Sequence, residues 1–237
     1  MHIVVLGASS TVGAALAAAF SPGNSLVLVG RNGEKLEAAA AACRGAGALE
    51  ARCVTADFSQ DIGPLLSVLE GQQVDLIVDA ASAASGARDA DIKPGQFETY
   101  VAADVQSKIR ILEHVLGRQP KAPAVVFISS VLALAKSPGR VVYTSLKQLY
   151  EVYLRRTRES RPDFRLLIVY VGTVLDTTRA SKKADRLARS VTRAFDGGRR
   201  AMFFGLIGLV FLGLYFLQPI LFLFVTFAQR RLRRLFR

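Results

Sequence analysis

The 237-residue chain has only two cysteines, Cys43 and Cys53, and their spacing suits no metal. A disulfide framework is set aside with them, and a reducing compartment fits. The N-terminus has no basic stretch ahead of its first apolar residues, so a secretory leader is not expected. There is no internal repeat and no nucleic-acid-binding motif. Acid is missing from the other end: residues 199–237 hold seven arginines and no aspartate or glutamate. They supply +7 of the formal +12, which leaves +5 for the other 198 residues. The high isoelectric point therefore belongs to the tail and does not mark a nucleic-acid partner. Inside that tail, Ala201 to Gln229 carries no charge at all over 29 residues.

The rest of the chain alternates short apolar runs with helical stretches. Strands are expected near residues 2–6, 25–29, 51–55, 75–79, 124–128 and 165–170. Helices are expected near 11–20, 32–44, 60–70, 96–117, 143–158 and 182–195. This alternation favours an α/β fold with a doubly wound parallel sheet. One domain over residues 1–198 with an appendage at 199–237 fits the length.

Two stretches carry chemistry. The first is the turn Gly7-Ala8-Ser9-Ser10-Thr11-Val12-Gly13 between the first strand and an alanine-rich helix. A glycine-bearing strand-to-helix turn lets backbone N–H groups approach a pyrophosphate at the helix N-terminus. The second holds Ser130 at a strand end, Tyr143 thirteen residues on, and Lys147 four beyond that. Tyr143 and Lys147 at i, i+4 share a helix face. A nearby ammonium favours the phenolate, which suits a tyrosine acting as acid or base. Alone, a Tyr/Lys pair is weak evidence and reads more readily as two surface residues of a helix. After the second strand comes Arg31-Asn32, with no acid between Val27 and Gly33. An arginine there can pair with a ribose 2′-phosphate and favours NADP(H) over NAD; the alternative is a solvated arginine in a loop.

Together the glycine turn and the Ser…Tyr-x-x-x-Lys set resemble the short-chain dehydrogenase/reductase family over roughly residues 1–195. The resemblance implies a Rossmann-type fold and an NADP(H)-dependent oxidoreductase that interconverts a ketone and a secondary alcohol. Ser130 would hold the carbonyl oxygen, Tyr143 would exchange its proton, and Lys147 would lower the Tyr143 pKa and bind the nicotinamide ribose. It places Gly7, Ser9, Ser10, Thr11, Val12 and Gly13 at the pyrophosphate, with Thr11 where the family has its middle glycine. It puts Asp57 at the adenine, although a turn aspartate is the alternative there. Ala80 and Ala81 would lie along the cofactor, after Asp79 in place of the usual asparagine. Asp104 falls where the family has a catalytic asparagine that holds a water of a proton relay; otherwise it is a polar residue on an exposed helix side. Gly172, Val174 and Thr177 would face the nicotinamide and pyrophosphate. A homo-oligomer pairing through helices 96–117 and 143–158 is implied as well.

The uncharged run exceeds the ~20 residues that a spanning helix needs. Membrane attachment through residues 201–229 is expected, as a kinked helix or as a hairpin bent at Pro219; a buried oligomer interface is the alternative. Basic flanks on both sides give no orientation for a single span. The catalytic domain is expected on the cytoplasmic side, where NADPH is found. A lipid or lipid-linked substrate fits such a tail. The competing function is a degenerate dinucleotide-binding scaffold or sensor anchored to the membrane, which the Asp79 and Asp104 departures favour.

Overall fold

The computed structural model describes residues 1–85, 87–134, 139–172 and 180–205. Seven parallel strands form one sheet in the order β3-β2-β1-β4-β5-β6-β7. They are β1 (His2–Leu6), β2 (Ser25–Gly30), β3 (Glu50–Thr55), β4 (Leu76–Asp79), β5 (Ala124–Ser130), β6 (Leu166–Val171) and β7 (Ala201–Phe204). The strands are near-continuous apolar runs because both faces of a parallel sheet are covered. Along β1, Ile3 and Val5 enter the core beneath one layer, and Val4 and Leu6 the core beneath the other.

Helices α1 (Thr11–Ala19), α2 (Gly33–Gly45) and α7 (Ala180–Asp196) cover the first face. The alanine-rich α1 packs against α7, and Leu16 and Ala17 are fully buried there. Helices α3 (Gly63–Leu69), α5 (Ser107–Leu116) and α6 (Val141–Ser160) cover the second face. Phe127 of β5 meets Tyr150 of α6 edge to face, 5.1 Å between centroids, which contributes about 0.5–1.5 kcal/mol beyond area burial.

Two expectations need correction. The helix expected over 96–117 is broken. It runs as α4 (Gln96–Val101), then a π-helical turn at Ala102–Gln106, then α5. The wider turn brings the Asp104 carboxylate to the loop after β4, as described below. Second, the first residues of the uncharged run are not part of a membrane segment. Ala201–Phe204 is the edge strand β7, with Met202 against Val169 and Phe204 against Val171. The sheet therefore extends past residue 198. Among the described residues no helix is long and apolar enough to cross a membrane. Residues 206–229 lie outside the described residues.

Candidate active site at the carboxyl edge of the sheet

The chain order reverses between β1 and β4, and ligands of such sheets bind at the carboxyl ends beside that crevice. The glycine turn stands there. Gly7 has φ +81°, and a Cβ on it would lie 2.8 Å from the Ala81 backbone. A Cβ on Gly13 would lie 2.1 Å from the Gly7 carbonyl oxygen. Both positions therefore require glycine, and the turn lies directly on the loop that carries Ala80 and Ala81. Ser10 caps α1: its hydroxyl donates to the Gly7 carbonyl at 2.8 Å and accepts from the Gly13 N–H at 3.0 Å. Thr11 is the first helical residue, and no non-glycine among the described residues has a positive φ. The missing middle glycine thus costs no strain. Thr11 and Val12 are the first two residues of α1, whose N–H groups have no acceptor within the helix. Ser9 fills the space above Gly30, where a Cβ would meet its Oγ at 2.5 Å.

Ser130 ends β5, and α6 brings Tyr143 and Lys147 to the same edge. Helix α6 begins two residues earlier than expected. Its first N–H groups, on Val141 and Val142, donate to the Asp89 carboxylate at 2.7 and 3.0 Å. An acid at that end also suits the helix dipole. The Ser130 hydroxyl accepts from the Leu132 N–H at 3.2 Å, and Gln148 of α6 donates to the carbonyl of Ala133 in the same turn. Lys147 is buried; its ammonium donates to the Ile128 carbonyl at 3.0 Å and lies 4.9 Å from the centre of the Phe127 ring. Burial holds Lys147 down to about 8, and the Lys108 ammonium pushes the same way against Asp104 and Asp79. Burial raises the Tyr143 phenol above its ordinary value, with the Ser130 hydroxyl opposing. The expected lowering of Tyr143 by Lys147 is therefore not what the geometry gives. The ammonium is turned to a strand carbonyl, and the phenol stays protonated near neutral pH.

Asp104 is not on an exposed helix side. It is 4% exposed, and its carboxylate accepts from Ala83 N–H at 2.8 Å, Ala84 N–H at 3.0 Å and the Ser82 hydroxyl at 3.1 Å. Both of its oxygens hold the loop after β4, so the carboxylate fastens that loop. Asp79 is fully buried; one oxygen accepts from Ala81 N–H at 3.0 Å and the other lies 3.0 Å from the Lys108 ammonium. Lys108 also donates to the Ala81 carbonyl at 2.7 Å. Sequence reasoning missed this lysine, although a signal was there: positions 108, 111, 112 and 115 form the buried stripe of α5, and one of the four is charged.

The remaining expected residues divide. Asn32 caps α2, accepting from Lys35 N–H at 2.9 Å, so its side chain is engaged in the helix start. Arg31 is exposed beside it and lies near enough to Asp57 to favour its carboxylate. One oxygen of Asp57 accepts from the N–H and hydroxyl of Ser59, at 2.9 and 2.7 Å, and the Ser59 hydroxyl holds the acid below the usual range. The turn role considered as the alternative for Asp57 is thus present. Gly172 follows β6 at the same edge, its N–H donating to Phe204. Val174 and Thr177 lie outside the described residues.

A dinucleotide fits this edge. A cradle that admits no Cβ at Gly7 or Gly13 leads into a capped helix start with free N–H groups, and a Ser, Tyr and Lys follow along the edge. A nucleotide-dependent oxidoreductase site is the class that these parts define. Residues 1–186 match the short chain dehydrogenase family model. The chain belongs to that family and is an oxidoreductase of it, which makes NAD(P) its cofactor class. An uncharacterized oxidoreductase of Mycobacterium tuberculosis is 26% identical over 217 residues, 84% of this chain and 86% of that protein. The fold is similar to a short-chain dehydrogenase from Sphingobium yanoikuyae in complex with NADPH. That likeness has a TM-score of 0.75 at 22% identity and covers 85% of this chain and 87% of that one. It is equally similar to a bulky-bulky ketone specific alcohol dehydrogenase from Comamonas testosteroni, with a TM-score of 0.75, 18% identity and 85% of each chain covered.

Proposed function

We propose that the protein is a membrane-attached, NADP(H)-dependent reductase that interconverts a ketone and a secondary alcohol on a lipid or lipid-linked substrate. The convergence of Ser130, Tyr143 and Lys147 at the carboxyl edge carries this reading. When bound, the nicotinamide supplies or accepts the hydride. Tyr143, held protonated by burial, gives its proton to the carbonyl oxygen. Ser130 donates a hydrogen bond to that oxygen. Lys147, fixed by Ile128 and the Phe127 ring, serves the nicotinamide ribose and the proton path. Tyr143→Phe is expected to lower turnover by roughly 10²–10⁴-fold while dinucleotide binding is kept. No turnover of any lipid ketone by the wild type, with binding intact, would favour the scaffold reading.

Arg31, exposed at the end of β2, supports NADP(H) over NAD. Fluorescence titration should show tight NADPH and weak NADH binding. Arg31→Ala should weaken NADPH about tenfold and leave NADH unchanged, the size of one charge-assisted hydrogen bond.

Membrane attachment is supported by where the chain leaves the sheet. Phe204 pairs with Val171 beside Gly172, so β7 ends at the edge that carries the site, and the run 206–229 follows it in sequence. That run is uncharged and still exceeds the ~20 residues of a span. Arg199 and Arg200 sit at the other end of β7, about 13 Å away along the strand, so they do not flank the run directly. The catalytic domain is placed on the cytoplasmic side, where NADPH is available. Flotation with liposomes should carry the full chain and lose a chain truncated after Gly205. Exposed Val141, Leu149 and Val152 on α6, with Phe97 on α4, supply an apolar face for a homo-oligomer.

A further inference from the structure

Four charged side chains are buried together beneath the proposed site: Asp79 on β4, Asp104 in the π-helical turn, Lys108 on α5 and Lys147 on α6. None is more than 5% exposed. Two acids and two bases balance, so the aspartates that replace asparagines are matched within the fold. Lys108 is the member without a place in the reaction just described. It donates to the Ala81 carbonyl and pairs with Asp79, which itself accepts from the Ala81 N–H. The Ala81 peptide groups are thus gripped on both sides, at the residue whose backbone touches Gly7. Lys108 and Lys147 also share one aromatic ring: their ammonium groups lie 5.7 and 4.9 Å from the Phe127 centroid.

We propose that Lys108 is a positioning residue of the active site, gripping the loop after β4 through Asp79 and Ala81 while its charge biases Lys147 toward releasing a proton. Lys108 touches neither substrate nor cofactor; it acts through Asp79, Ala81 and Lys147. Repulsion between two ammonium groups that face one ring in a low-dielectric interior favours the neutral form of one of them. Lys147 is the one that yields, because Lys108 has Asp79 at 3.0 Å and Lys147, among the described residues, has a carbonyl and a ring as partners. The other groups facing the pair are Asp104, which acts in the opposite sense on Lys147, and Tyr150 of α6, whose ring is 5.4 Å from Lys108. Burial and Asp79 keep the Tyr150 phenol neutral.

This inference rests on the reading that Tyr143 and Lys147 carry the chemistry, so its test has a readout that needs no substrate. Lysine is incorporated biosynthetically with a ¹³C label at Cε, and the Lys147 signal, assigned by its loss in Lys147→Arg, is titrated by NMR. Lys108→Met leaves Asp79 buried without its cation, so Asp79→Asn/Lys108→Met is titrated as well; the asparagine keeps an acceptor for the Ala81 N–H. The Lys147 midpoint should rise by about half a unit or more in the double variant, and further in Lys108→Met, but stay within a few tenths in Lys108→Arg. The alkaline limb of the rate profile, where turnover is measurable, should move with it. An unmoved Lys147 midpoint in the double variant would overturn the proposal and leave Lys108 as a purely structural pair. If the midpoint moves while the wild type turns over no ketone, the electrostatic inference stands and the proposed reaction falls.

Discussion

The two loops that meet beneath the cofactor cradle are built in opposite ways. The turn after β1 is held by its glycines, by Ser10 and by the Val29 carbonyl, which accepts from the Gly7 and Ala8 N–H groups. Gly7 and Gly13 let the backbone fold onto itself, Ser10 closes it, and the first N–H groups of α1 are left over. The loop after β4 touches that turn at Ala81, and its backbone groups are occupied. Ala81 N–H and C=O, Ala83 N–H and Ala84 N–H all bond to Asp79, Asp104 or Lys108. The first turn leaves the N–H groups at the start of α1 for a ligand; the second gives its donors to buried side chains and becomes a rigid wall. The difference assigns binding to the first and positioning to the second.

The contrast breaks hardest where charge is buried. Lys108→Ala strands the Asp79 carboxylate, and a chemical denaturation curve should show a loss of about 3–5 kcal/mol. Asp104→Ala comes next. It leaves two N–H groups and one hydroxyl of the same loop without acceptors, a loss of about 3 kcal/mol; Asp104→Asn should recover more than half. On the glycine side, Gly13→Ala drives a methyl into the Gly7 carbonyl. About 1–3 kcal/mol of stability should go, and NADPH binding by fluorescence should vanish with it. Ser10→Ala removes only a helix cap, about 1 kcal/mol, with a weaker but measurable dinucleotide affinity. A pH series sharpens the comparison without mutation. Lys147 is protonated below about 8, so a reductive rate that needs its proton should fall as pH rises through that value. Tyr143 titrates higher and should not set that limb.

The sequence made the strands legible because both faces of the sheet are covered, so each strand is a short apolar run. The glycine turn and the Ser130, Tyr143, Lys147 set were legible because their spacing is local. The break in the helix at 102–106 was not. It depends on Asp104 reaching the 82–84 loop, a contact between residues twenty apart that no local propensity encodes. Strand β7 was hidden for another reason: Ala201–Phe204 opens a long uncharged run, and hydropathy does not separate a covered edge strand from the start of a span. Asp79 looked like a defect only while Lys108, 29 positions away, was unassigned.

The buried quartet also constrains how this chain can change. Restoring asparagine at 79 alone would leave Lys108 with no counterion, and replacing Lys108 alone would leave Asp79 in the same position. Each single step passes through a less stable protein, so the two residues form a ratchet. Homologous chains should therefore carry the acid at 79 and the base at 108 together or lack both, and the pair should trace a branch of descent more faithfully than the shared Ser, Tyr and Lys.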